Sequence, residues 1–318
     1  MGLLTTRRAQ LEDRPMISDF EDFCLYLYVL VDDLWAQLEP HYRRPGPAPA
    51  CSDSELITMV LAGECRGWDH ETEWVAAWQS HRGLFPVIPE RSRFNRRRRA
   101  LMYAINDLRR LALTALDLAQ DREAVIDSLP VPVMHFHLVP SSSNTPAWRG
   151  AGASFGKVSS KKQPIFGYKL HLLVTLNGVI LDFVLAPANI HDLTVGADLL
   201  AEQRDLLVLG DKAYYSAPVA AALLAEAGVT LFALPRARQR VQLPPTVVAL
   251  HSRCRQIIET VNEQLTDQLH LEANHAKTFW GLCVRLYSKL TAHTLCVFLN
   301  RLLDHPDCLQ IKGLAFAL

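Results

Sequence analysis

Three acidic residues set the chemistry open to this chain. Asp127 closes the run Ala124-Val125-Ile126-Asp127, Asp211 closes Leu206-Leu207-Val208-Leu209-Gly210-Asp211, and Glu259 lies inside Arg255-Gln256-Ile257-Ile258-Glu259-Thr260. The two aspartates follow short apolar runs that read as buried strands, and the glutamate lies on a periodic helix. Breaking and rejoining a phosphodiester needs an activated water or 3′-hydroxyl and a neutralised leaving oxygen. Two hard divalent cations clamped by carboxylates supply both. Taken singly, an Asp ending a strand reads as a turn or cap residue, and Arg255 with Glu259 reads as an i, i+4 surface pair. The ordered combination is what points to nuclease-like chemistry, with Glu263, one turn beyond Glu259, as a competing third ligand.

The elements that must position these residues fall into two regions. Residues 1–120 read as helical. Phe20, Phe23, Cys24, Leu27, Leu30, Val31, Leu34, Trp35 and Leu38 repeat near 3.6 and predict a helix ending at Pro40,. Ser52-Asp53-Ser54-Glu55 predicts a capping box that opens the next helix. A short helix over 71–81 follows, then a long one over 91–120 that starts with Arg91-Ser92-Arg93-Phe94-Asn95-Arg96-Arg97-Arg98-Arg99. Two short helices before a long one with a basic start resemble a helix-turn-helix module, with Arg93, Arg96, Arg97, Arg98 and Arg99 as phosphate contacts. The alternative is a helical bundle whose arginines form a solvated face.

From residue 121 to 318 short β-like runs alternate with helices. The runs Lys169–Leu176 and Val179–Leu185 flank Asn177-Gly178, a strong hairpin signal,. Further strands are expected over 131–139, 206–209 and 229–234, and helices over 193–204 and 217–227, giving a mixed sheet flanked by helices. The stretch 140–164, rich in Ser, Gly and Lys, reads as a long loop. A helix from about Val248 places Leu250, Cys254, Ile257, Ile258, Val261, Leu265 and Leu269 on one face, and the apolar C-terminal helical region is expected to cover the sheet.

Composition limits the alternatives. A hydrophobic share of 49% against 21% charged residues fits a water-soluble core,. With 33 basic and 33 acidic residues the net charge is zero, so nucleic-acid binding must rest on local basic patches,. Seven scattered cysteines without a C-x-x-C pair argue against structural zinc or a disulfide framework,. The N-terminus lacks an apolar signal core and no stretch holds about 18 uncharged apolar residues, so no membrane partner is expected and the location expected is cytoplasmic.

The order of motifs is recognisable. Val-Ile-Asp127, Phe155-Gly156-Lys157 with Ser160-Lys161-Lys162, Phe166-Gly167-Tyr168-Lys169-Leu170-His171, Ala188-Asn189-Ile190-His191-Asp192, Leu209-Gly210-Asp211-Lys212-Ala213-Tyr214 and Arg255-x-x-Ile258-Glu259-Thr260 together resemble bacterial insertion-sequence transposases of the DDE class, most of all the insertion-sequence-982 family. The resemblance implies a ribonuclease H-like catalytic fold in which Asp127, Asp211 and Glu259 bind two Mg²⁺ (or Mn²⁺) ions. It implies double-stranded DNA as partner, both the terminal inverted repeats and the target. It also implies a nucleoid-associated bacterial protein that acts as a homodimer or larger assembly on paired ends. Lys161, Lys162, Lys169, Lys212 and Arg255 would hold phosphates. His191-Asp192 corresponds to a His-Asp pair often present in the family, here read as a helix cap through Asp192. Ser252 and Thr266 stand where some related transposases carry Tyr and Lys.

Two rival readings differ in what they require. A catalytically silent, transposase-derived DNA-binding protein would keep DNA binding without metal-dependent cleavage. A metal phosphohydrolase built on His191-Asp192 would need further histidine ligands on helices, whereas His135, His137 and His171 fall on predicted strands.

Overall fold

The computed structural model describes residues 17–117, 121–157, 164–235 and 243–315, and among the described residues five helices precede the sheet. Helix α1, Phe20–Tyr42, opens on Asp19, whose carboxylate accepts the Asp22 N–H at 2.8 Å, and it runs past Pro40 into one more half-turn. Helix α2, Asp53–Cys65, carries the reciprocal cap that its sequence predicts: Ser52 Oγ accepts the Glu55 N–H at 3.0 Å and Glu55 Oε2 accepts the Ser52 N–H at 2.6 Å,. Helix α3 spans Glu71–Ser80. The long basic helix expected next is two, α4 (Arg91–Ala100) and α5 (Met102–Ala115), divided at Leu101, whose ψ of 5° leaves the helical range,.

The sheet follows. Strand β1, Glu123–Met134, joins what the sequence suggests are two separate runs. It pairs antiparallel with β3 (Ile165–Thr175) along nearly its whole length, but parallel with β5 (Leu207–Gly210) only from Glu123 to Ile126. Beyond Ile126 no strand among the described residues pairs with it on the β5 side, and Pro130 and Pro132, which lack an N–H, fall in that half,. On the other side of β3 lie β2 (Ser154–Gly156) and β4 (Ile180–Pro187), while β6 (Thr230–Ala233) pairs parallel with β5. The β3–β4 hairpin turns at Asn177-Gly178 as expected, with Gly178 at φ +79°,. The stretch expected to be a loop instead contains α6, Thr145–Gly150, and β2.

Helices α7 (Asp192–Ala201) and α8 (Ala217–Ala227) cover one sheet face, where Ala124, Ile126, Leu173, Val208 and Leu231 meet Leu199, Leu200, Leu223 and Ala227. Helix α9, Pro245–Glu263, packs against β1 and β5. A mixed sheet with helices on its faces, preceded by a helical N-terminal region, is the arrangement of the ribonuclease H-like fold of DDE transposases.

Helix α10, Phe279–Leu302, corrects the expectation that the C-terminal region covers the sheet. The chain separates into a helical unit of residues 1–116, 265–276 and 280–318 and a sheet unit of residues 117–264 and 277–279. Within the helical unit Thr291 Oγ1 donates to the Ile105 carbonyl at 3.0 Å, and Lys289 and Arg285 reach the fully buried Glu64 of α2 at 2.6 and 3.3 Å. Burial alone would raise the Glu64 carboxyl. The charges of Lys289, Arg285 and Arg98 overcome that and hold it below the usual carboxylate range,. By length and composition α10 could cross a membrane, but 89% of its apolar window is buried, as in a core helix.

Candidate active site

The parallel register of β1 and β5 explains how two aspartates far apart in sequence meet. Pairing runs from Glu123 opposite Leu207 to Ile126 opposite Gly210, so the next residues along the two strands are Asp127 and Asp211. Neighbouring strands lie about 4.8 Å apart, and residues level with one another share a face. Asp211 turns out of the strand to cap the short helix Lys212–Tyr214, accepting the Ala213 N–H at 2.8 Å, while Asp127 Oδ1 accepts the Ser128 N–H at 2.8 Å. Burial raises the Asp127 acid to about 6. The Ser128 N–H and the Arg255 charge pull it down, and the carboxylates of Asp211 and Asp192 push it up again.

Helix α9 lies against this pair by a face that keeps Ile258 and Val261 of its apolar pattern but adds polar residues to it. Leu250 is 63% exposed, and the buried positions are His251, Ile258 and Val261. That stripe continues as His251, Arg255, Ile258 and Asn262, at helical spacing. The His251 Nε2–H donates to the Gly210 carbonyl at 2.9 Å, immediately before Asp211, and Asn262 Nδ2 donates to Asp127 Oδ2 at 3.2 Å. Arg255 Nη2 lies 3.8 Å from both Asp127 Oδ2 and Glu259 Oε1 and so stands between the two carboxylates. Glu259 itself is 60% exposed at the edge of the stripe, and Glu263 is also exposed.

A second layer of charge comes from Asp192. The cap of α7 is not Asp192 but His191, whose Nδ1 accepts the Leu193 N–H at 3.2 Å. Asp192, thereby freed, takes a short charge-assisted hydrogen bond from Lys169 Nζ, with His171 Nε2 4.0 Å away. His171 is buried and driven down to about 4 by that burial, so it is neutral near pH 7,. Its Nδ1 lies 3.3 Å from the Tyr214 hydroxyl. Tyr214 is held well above its usual range, first by burial and then by the charges of Asp127, Asp192 and Asp211. Asn262, which contacts Asp127, and Asp192, whose charge acts on it, thus belong to the candidate site although the strand-end pattern does not reveal them. The i+3 step from Glu259 could have pointed to the first, and the His-Asp pair to the second.

This electrostatic balance bears on metal binding. Among the described residues no three acidic, histidine or cysteine side chains already converge as a ligand set. Asp127 and Asp211 nevertheless fit a hard divalent cation: both offer carboxylate oxygens, and they sit level with one another at the ends of paired strands,.

The basic residues have different fates. Arg93, Arg96 and Arg99 are exposed on α4, one helical step apart. Arg97 binds Asp53 at 2.6 Å. Arg98 is 4% exposed, bound to Glu64 at 2.9 Å and laid over the Trp74 ring at 4.5 Å, which takes it out of the solvent-facing row. Lys169 is buried against Asp192, Lys212 is exposed, and Lys161 and Lys162 lie outside the described residues.

Comparison with curated proteins and with solved structures finds no match. A family model described as a transposase DDE domain matches residues 119–295, more than half of the chain, and covers both aspartates and the α9 stripe. The chain belongs to the family of transposases with a DDE domain.

Proposed function

We propose that this protein is an insertion-sequence transposase, nearest the insertion-sequence-982 family, that binds transposon ends and carries out strand cleavage and strand transfer. The observation that carries the reading is the in-register Asp127 and Asp211 at the open end of β5, with Arg255, Glu259 and Asn262 presented over them by α9. Asp127, Asp211 and Glu259 would hold two divalent ions, Mg²⁺ or Mn²⁺. Such ions lower the pKa of an attacking water or hydroxyl and neutralise the leaving oxygen. The protein's own groups do the positioning. Ser128 N–H and Asn262 Nδ2 fix the two oxygens of Asp127, and His251 ties α9 to the end of β5. Arg255 supplies a guanidinium that can pass from the carboxylates to a phosphate oxygen.

DNA contact rests on Arg93, Arg96 and Arg99, with Lys161, Lys162 and Lys212 as further phosphate partners and Lys169 at the inner wall. We expect a homodimer or larger assembly on paired ends. The second reading, a silent DNA-binding descendant, draws on the exposure of Glu259. The test is cleavage of a labelled duplex carrying the DNA that flanks the gene, with Mg²⁺ or Mn²⁺, by wild type and by Asp211→Asn. Metal-dependent 3′-hydroxyl ends from wild type alone support the transposase. Binding without cleavage by either protein supports the silent descendant.

A further inference from the structure

From Ser128 to Leu181 the chain contains no Asp or Glu, while it holds Arg149, Lys157, Lys161, Lys162 and Lys169. In a protein with equal numbers of acids and bases this stretch is basic in sequence, with Lys169 already paired to Asp192. Three large apolar side chains within it face water: Phe136 is 49% exposed, Leu138 42% and Phe155 42%. Phe136 and Phe155 meet edge to face with centroids 5.4 Å apart, and Phe155 rests at 5.0 Å on Phe166, which is buried. Phe136 therefore rests on Phe155, and Phe155 on a buried ring. His135 and His137, on either side of Phe136, lie with their rings 5.8 Å apart, and Arg149 and Lys157 are exposed in the same stretch.

Exposed aromatics in a stretch that carries exposed Arg149 and Lys157 and no carboxylate suit a polyanion that carries flat apolar groups. We propose that Phe136 and Phe155, with Leu138 beside them, form a stacking surface for the bases of a DNA strand that has left its duplex, its phosphates held by Arg149 and Lys157. This inference rests on the transposase reading and adds a contact away from the cleavage centre. Between Asp127 and Met134 strand β1 rises about 23 Å at about 3.3 Å per residue. Every base has a π-face, so the contact is sequence-tolerant.

The test uses the full-length protein and two fluorescent probes, an oligothymidylate and a blunt duplex of the same length. Phe155→Leu keeps the apolar volume but loses the ring, and it should weaken oligothymidylate binding about ten-fold with little change for the duplex. Phe136→Ala should do the same, and Phe155→Trp should restore binding. Equal weakening on both probes, or no weakening, overturns the proposal. So does a loss of self-association in sedimentation with oligothymidylate binding intact, which would make the patch a contact between copies. Metal-dependent cleavage by wild type, measured alongside, separates the two readings. Cleavage without a phenylalanine effect removes only the stacking surface. Oligothymidylate binding that depends on Phe155 without cleavage removes only the enzyme. Absence of binding to either probe removes both.

Discussion

Burial is the first cause that lifts Asp127 to about 6, and the carboxylates of Asp211 and Asp192 add to it. An unperturbed Asp titrates near about 3.9, so the folded protein binds this proton more tightly than the unfolded chain. Stability from the protonated form is complete below about pH 4 and is lost as pH rises through about 6. In metal-free buffer Asp127→Asn should therefore be more stable than wild type at neutral pH by about 3 kcal/mol, with the difference vanishing in acid. Urea unfolding at both ends of that range checks it, and a difference independent of pH would refute it. Asp192→Asn acts the other way. It leaves the buried Lys169 ammonium without its partner, so a loss of about 2 kcal/mol is expected in the same assay,. Asn262→Ala frees one oxygen of Asp127 and should lower the cleavage rate about ten-fold while leaving duplex affinity unchanged,. Equal losses in both quantities would mean a general structural defect instead.

At the scale of elements, the basic helix α4 divides its arginines by depth. Arg93→Gln, Arg96→Gln and Arg99→Gln together should weaken DNA binding and flatten the slope of log K against log salt by about one for each phosphate that is no longer neutralised, with the melting temperature nearly unchanged. Arg98→Ala should instead leave Glu64 short of a partner in the core and cost about 3 kcal/mol,. Melting curves and salt titrations on the two variants separate these roles. Composition could locate this cluster but could not rank its members, because burial of Arg98 depends on Glu64 and Trp74, both distant in sequence. The same limit applies to α9. Its apolar pattern places Ile258, Val261, Leu265 and Leu269 inside, as observed, but does not reveal that His251, Arg255 and Asn262 also turn inward, toward Gly210 and Asp127. The strand-end aspartates, the Asn-Gly hairpin and the Ser52 cap were legible because each depends on residues close in the chain. The continuity of β1 through Pro130 and Pro132 was not, since it needs the knowledge that β5 stops at Gly210.

At the scale of the whole molecule, the helical unit is assembled from both ends of the chain around a fully buried Glu64 that faces Arg98, Arg285 and Lys289. Hydropathy shows that α10 is apolar but cannot show which core it enters. The information lies in charges that find each other only in the fold. Glu64→Gln removes the countercharge shared by three buried cations and should destabilise the helical unit by about 3–5 kcal/mol. Limited proteolysis is expected to attack that unit before the sheet unit, and uniform digestion would argue otherwise.

The separation of 221 residues between Glu64 and Arg285 also sets an order of events during synthesis. At about 5–20 residues per second, the ribosome needs roughly 10–45 s after making Glu64 before its last partners emerge. The sheet unit, nearly continuous in sequence, can form within that interval, while α2 must keep its carboxylate hydrated. A message cut short before α10 is therefore expected to yield nascent helices that lack their closing element.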